Sequence, residues 1–165
     1  MGRNLFLLCC LLVAPARAVE APPAPPRRIV SLAPSVTELL FALGAGDSVV
    51  GVTRYDDFPP EVNRLPKVGG FIDSDAEAVL ALRPDLVVAV RTSGGRGRLD
   101  TLTRLGAQVV TVSDGSLDDL WQTLRTLGQR LGRVDAAVAL RRRIERELAE
   151  ATAPATRAGG IRRRA

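Results

Sequence analysis

The stretch RIVSLAPSVTELLFALG, residues 28–44, decides the fold. Arg28 to Leu32 is a short apolar run of strand character, and Pro34 ends it. Ser35 and Glu38 then stand at the spacing of a capping box, in which the serine accepts a hydrogen bond from the first helical turn while the glutamate reaches back. Leu39, Leu40 and Leu43 recur at helical spacing, and Gly44 is placed to end the helix as a left-handed cap. The unit is therefore strand, tight turn, helix.

The same alternation runs on downstream. Val49 to Val52 reads as a second strand. Ser74 with Glu77 forms another capping box, opening a helix with Val79, Leu80 and Leu82 on its apolar side, stopped by Pro84. Asp85 to Val90 is a third strand, apolar on both faces from Leu86 on, as a buried parallel strand is. Leu99 to Leu105 is helical and ends at Gly106, and Gln108 to Val112 is a fourth strand. Ser116 with Asp119 opens a helix carrying Leu120, Leu124, Leu127 and Leu131. This order predicts an α/β fold, a parallel sheet with helices on both faces. The last element differs. Val134 to Thr152 reads as one helix, roughly 28 Å long at 1.5 Å per residue, with a narrow stripe of Val138, Leu140, Ile144 and Leu148 among many charges. It reads either as a connector to something else or as a terminal helix lying across the sheet.

Toward the amino terminus the chemistry changes. Residues 1–18 have the features of an export signal: Arg3, the apolar run Leu5 to Val13, and Ala16-Arg17-Ala18 as an A-x-A cleavage site ending at Ala18. Cys9 and Cys10 both fall in that run, so a mature chain would hold no cysteine, and disulfide and thiolate chemistry drop out. Residues 19–27 form a proline-rich linker, stiff and extended.

Composition narrows function further. The 165 residues include 23 basic and 18 acidic side chains and no histidine. A Ser-His-Asp triad, a Cys-His pair and a His-ligated zinc are impossible within this chain. The formal charge of +5 suggests nucleic acid, but six basic residues (Arg3, Arg17, Arg157, Arg162, Arg163 and Arg164) lie at the ends, and the remaining 17 face 18 acidic ones. With one lysine and four phenylalanines there is no basic-aromatic interleaving, so nucleic acid is not an expected partner. No metal site is expected either, since the acidic residues show no clustered ligand spacing.

At this point the chain resembles a known family. The 28–44 stretch resembles the opening of periplasmic cobalamin-binding proteins of ABC importers, within the iron-siderophore and cobalamin class of solute-binding proteins. VGVTRYDDFPP (50–60), PKVGGF (66–71) and EAVLALRPDLV (77–87) continue the match in order. The resemblance implies two α/β lobes joined by one long rigid helix, with the ligand between the lobes. On that reading residues 28–132 are the first lobe, 133–152 the linking helix and 153–165 a disordered arginine-rich tail, with the second lobe absent. AGGIRRRA (158–165) does not resemble the start of that lobe, and a truncated or frameshifted reading frame would explain both features.

The resemblance also implies site residues. Tyr55 and Phe71 fall where the family presents aromatic side chains to the flat ring of the ligand, and an aromatic face gives large apolar contact at low entropic cost. Each has an ordinary alternative as a packed loop residue, and Phe58, before Pro59-Pro60, reads as a structural plug. Family members often carry an aromatic residue near Val90, where this chain has valine. Val90 and Arg91 lead into the glycine-bearing loop Arg91 to Arg98, at the carboxyl end of a parallel strand where ligands usually bind. Ser35 sits at a helix start whose free amides suit a polar ligand edge, although capping explains it equally well. Glu77 matches a surface glutamate that docks into arginines of the membrane permease, and it also completes the cap of Ser74.

The expected function is binding of a corrinoid such as cobalamin, as cargo rather than cofactor, for delivery to an ABC importer permease by a monomer outside the cytoplasm. The nearest alternative is a ferric siderophore or haem on the same fold. A nucleotide- or phosphate-binding enzyme is disfavoured, because Asp100 stands where a dinucleotide fingerprint needs its third glycine and no P-loop lysine exists. A non-functional fragment is the remaining alternative. One lobe covering half the ligand would turn a nanomolar binding energy of about 12 kcal/mol into about 6, or tens of micromolar.

Overall fold

The computed structural model describes residues 24–70, 73–91 and 96–153. The expected export signal with Ala18, all but the first residue of the 153–165 tail, and Phe71 lie outside the described residues. Strands β1 (Ile29–Ser31), β2 (Val49–Gly51), β3 (Leu86–Val90) and β4 (Val109–Val112) form one parallel sheet in the order β2-β1-β3-β4. Among the described residues five α-helices accompany them: α1 (Pro34–Ala42), α2 (Ala76–Ala81), α3 (Arg96–Arg104), α4 (Leu117–Arg130) and α5 (Val134–Thr152).

Period-two alternation along the strands explains why both faces are covered. Ile29, Val49, Val88 and Val112 enter one core with Val36 and Leu40 of α1, Leu124 and Leu127 of α4, and Ala137 and Leu140 of α5. Val30, Val87 and Ala89 point the other way, into a second core with Val79 of α2 and Leu102 of α3. All five residues of β3 are buried, as its continuous apolar run predicts for a central parallel strand. The start of β1 is pinned beside β3: Asp85 Oδ2 accepts from the backbone N–H groups of Arg27 and Arg28 at 2.8 and 2.9 Å.

Four local expectations change. Helix α1 is capped at Ala33 without a side-chain cap, and Pro34 occupies its first turn. Proline has a preset φ and no N–H to leave unsatisfied, so it starts the helix before Ser35 can act as cap. Helix α2 is capped by Asp75, whose carboxylate accepts from Glu77 N and Ala78 N, while Ser74 is buried in a bridge to Gly69. A carboxylate at the positive end of a helix does what Ser74, committed to the hairpin, cannot. Helix α3 already includes Arg96 to Arg98, ahead of the expected start at Leu99. In α5 the inward stripe is Ala137, Leu140 and partly Ile144, whereas Val138 and Leu148 are exposed. Elsewhere Ser116 caps α4 through Asp119 N, and Gly44 and Gly106 adopt positive φ beyond α1 and α3, as expected.

Helix α5 divides into two halves. Its first half lies against α4, with the Arg141 guanidinium 4.9 Å from the Trp121 ring centroid. From Glu145 to Ala153 every residue is exposed. Among the described residues no helix is long and apolar enough to cross a membrane.

Candidate functional site

Because all four strands are parallel, their carboxyl ends share one edge of the sheet. The chain leaves β1 toward β2 on one side and returns to β3 on the other, so the connections diverge at that edge, the place where parallel sheets usually bind ligands. Four segments reach it: Leu32 to Ser35 after β1, the loop beginning at Val52 after β2, Arg91 after β3, and Ser113-Asp114 after β4.

The loop after β2 is the most elaborately held. Thr53 and Asp56 are buried, and one carboxylate oxygen of Asp56 accepts from both the backbone N–H and the hydroxyl of Thr53. The Thr53 hydroxyl oxygen in turn accepts from Tyr55 N at 3.2 Å. Lys67 Nζ donates to the Asp56 carbonyl at 2.9 Å and to the Val62 carbonyl at 3.2 Å. These bonds close the turn inward and leave Tyr55 outside it, 59% exposed. Phe58 is 60% exposed on the same loop, so it is not the structural plug its place before two prolines predicts.

A hairpin lies beside this loop. Gly69 bridges Ser74, and Gly69 N–Cα torsion (φ +98°) is in the region that favours glycine. A Cβ at Gly70 would overlap the Asp73 carboxylate and approach Tyr55 Cε2 at 3.1 Å, so the backbone there lies close to the edge of the tyrosine ring. Arg54 ties loop to hairpin: its N–H donates to the Gly69 carbonyl at 2.8 Å, and its guanidinium pairs with Asp73 at 2.8 Å while lying 5.7 Å from the Tyr55 ring centroid. The Arg54 guanidinium holds the Asp73 carboxyl below the usual aspartate range. A carboxyl with a lowered titration range stays ionised to lower pH, so Asp73 is a carboxylate at neutral pH.

The remaining expected residues are spread around the edge. Ser35 is exposed, and its hydroxyl donates to Asp114 at 3.1 Å, joining the start of α1 to the loop after β4. Val90 is a core residue, 6% exposed and packed with Val88 and Val112, so its contact surface is small. Arg91 is exposed, and with Arg96, Leu99, Asp100 and Thr111 it lines a groove between β4 and α3. Glu77 is exposed in the first turn of α2. Thus Tyr55, Ser35 and Arg91 stand on one sheet edge, Val90 lies beneath it, and Phe71 is outside the described residues. Arg54, Asp73, Asp114 and Phe58 are additions. For Arg54 the signal was its place beside the tyrosine in a loop after a parallel strand. Its partner Asp73, 19 residues away, had none. Among the described residues no group of three or more His, Cys, Asp or Glu side chains is placed to hold a metal.

Residues 29–161 match the family model described as periplasmic binding protein. The chain is 37% identical over 125 residues to a vitamin B12-binding protein of Yersinia pseudotuberculosis, covering 76% of this chain and 42% of that one. Among solved structures, a periplasmic heme binding protein from Pseudomonas aeruginosa superposes with a TM-score of 0.73 at 34% identity, over 76% of this chain and 45% of that chain. The periplasmic vitamin B12 binding protein of Vibrio cholerae does so with a TM-score of 0.70 at 29% identity, over 78% and 50%. The chain therefore spans about half the length of the relatives it matches.

Proposed function

The chain belongs to the periplasmic binding protein family, whose members bind small molecules rather than catalyse reactions, and we propose that it binds a corrinoid such as cobalamin outside the cytoplasm and passes it to the permease of an ABC importer. The observation that carries this reading is Tyr55, held outward at the carboxyl edge of the parallel sheet by the Thr53–Asp56 turn. An exposed aromatic ring on a braced loop suits a flat macrocycle. Similarity to the Yersinia vitamin B12-binding protein points to the corrinoid.

On this proposal Tyr55 and Phe71 form an aromatic wall, Ser35 and Arg91 a polar rim, and Val90 the floor behind them. Residues 1–18 are an export signal cleaved after Ala18, and 19–27 a linker to the lobe at 28–132. Helix α5, within 133–152, leads toward a second lobe across the ligand; its exposed second half is the support for that role.

Purified protein titrated with cobalamin, a ferric siderophore and haem, read by quenching of Trp121 with an inner-filter control, tests the ligand. Saturable binding of cobalamin is expected, and Tyr55→Ala is expected to weaken it about tenfold, or about 1.4 kcal/mol. Failure of all three ligands to saturate would sink the reading. Haem is the second reading, favoured by similarity to the Pseudomonas heme binding protein, and saturation by haem alone would select it.

Glu77 supplies the proposed permease contact, since a first-turn glutamate can serve its helix and remain exposed. Glu77→Ala is expected to reduce capture by the detergent-solubilised permease at least fivefold in a pull-down, with ligand affinity unchanged. Undiminished capture would remove this residue from the docking surface.

A further inference from the structure

We propose that Arg54 and Asp73 are positioning residues that hold the Tyr55 ring in a preset orientation before any ligand arrives. The proposal rests on the reading of Tyr55 as part of the binding surface and adds the device that makes that surface rigid. Tyr55 is exposed, and an exposed tyrosine ordinarily samples several χ1 wells. Here three neighbours restrict it. The Arg54 guanidinium lies over the ring at 5.7 Å from its centroid, close enough for cation–π attraction. Asp73 fixes that guanidinium with a 2.8 Å contact from across the hairpin. The absent side chain of Gly70 lets the ring edge sit against the hairpin backbone.

Stability does not explain the arrangement. Arg54 and Asp73 are both about half exposed, and a pair in that setting adds little to folding. What it orders is local: two long side chains and a ring are held in one geometry on the ligand-facing edge. A wall ordered in advance spares binding the entropy of fixing it, and loss of order at one such side chain corresponds to about two- to tenfold in affinity. Arg98 is no substitute for Arg54 over the ring, because its guanidinium is engaged with the Ser74 carbonyl at 2.8 Å.

Tyr55 is the single tyrosine of the chain, so 3-fluorotyrosine labelling gives one fluorine resonance that reports this ring. In the unliganded full chain that resonance is expected to lie away from its position in urea. Asp73→Asn and Arg54→Met should each move it more than halfway toward the unfolded position while the urea midpoint stays unchanged; Asp73→Glu, which keeps the charge, should restore most of the shift. Molar sodium chloride, which screens a half-exposed pair, should move the wild-type resonance in the same direction. Resonances in both variants that coincide with wild type, or a wild-type resonance indifferent to salt, would overturn the proposal. With cobalamin and haem as probes, Asp73→Asn should weaken whichever ligand binds about two- to tenfold. An unchanged affinity in a variant whose resonance has moved would overturn the role in binding. Because the fluorine measurement uses unliganded protein, absence of binding by either probe would count against the function and leave the ring-holding result to stand or fall on its own.

Discussion

Leu127→Ala is expected to lower the unfolding free energy of the fold by about 2–5 kcal/mol. Leu127 is fully buried on α4 and belongs to the core that joins the sheet to α1, α4 and α5. Alanine removes the transfer energy of the lost carbons and leaves a cavity that β-strand and helix backbones on every side cannot readily fill. For a domain whose total stability is of order 5–15 kcal/mol, that loss moves a large part of the unfolding transition. Urea unfolding followed by Trp121 emission measures it, and Trp121 sits on the same helix. Leu117→Ala is the internal control: Leu117 opens α4 but is mostly exposed, so the same chemical change should alter stability by at most about 0.5 kcal/mol. Equal losses at the two leucines would mean that burial does not distinguish them.

That contrast also indicates what can be seen in the residues alone. β3 is legible because Leu86 to Val90 is uniformly apolar, and only a strand covered on both faces tolerates that. α4 is legible from leucines at helical spacing behind a Ser116–Asp119 cap, and α5 from its unbroken helical composition. The starts of α1 and α2 are not, because each offers competing caps a residue or two apart. Ser35 loses to the geometry of Pro34, and Ser74 to the charge of Asp75 and to its own place in the hairpin. On α5, Val138 resembles a core residue in any sequence pattern, yet Ala137 faces α4 because only a small side chain fits against Gly128. The site follows the same division. Tyr55 stands out as an aromatic residue in a loop after a parallel strand. Its supports, Asp73 across the hairpin and Asp56 beneath the turn, depend on contacts that spacing does not encode.

The contact at Gly128 leads to the second large effect. A Cβ built at Gly128 would lie 2.8 Å from the Ala137 Cβ and 3.4 Å from the Arg133 carbonyl oxygen. Two effects oppose each other in Gly128→Ala. Alanine in a helix interior is favoured over glycine by about 1 kcal/mol. Overpacking a close interface costs about 1–3 kcal/mol, and a Cβ rooted in the α5 backbone cannot swing aside as a flexible side-chain end would. Gly128→Ala is therefore expected to destabilise the fold by up to about 2 kcal/mol, and Gly128→Val by more, since its branch enlarges the overlap and β-branched residues are poorer helix formers. Ala137→Gly in the same molecule removes the opposing methyl, so the double variant should recover most of the loss that Gly128→Ala causes. Its measured coupling in a double-mutant cycle should reach at least about 1 kcal/mol. Additive effects at the two positions would show that α4 and α5 do not meet there. Through that contact the first half of α5 is clamped to α4, while the exposed stretch from Glu145 onward extends beyond it. A helix anchored at one end and bare at the other can hold a second body at a fixed orientation, which the proposed linking role of α5 requires.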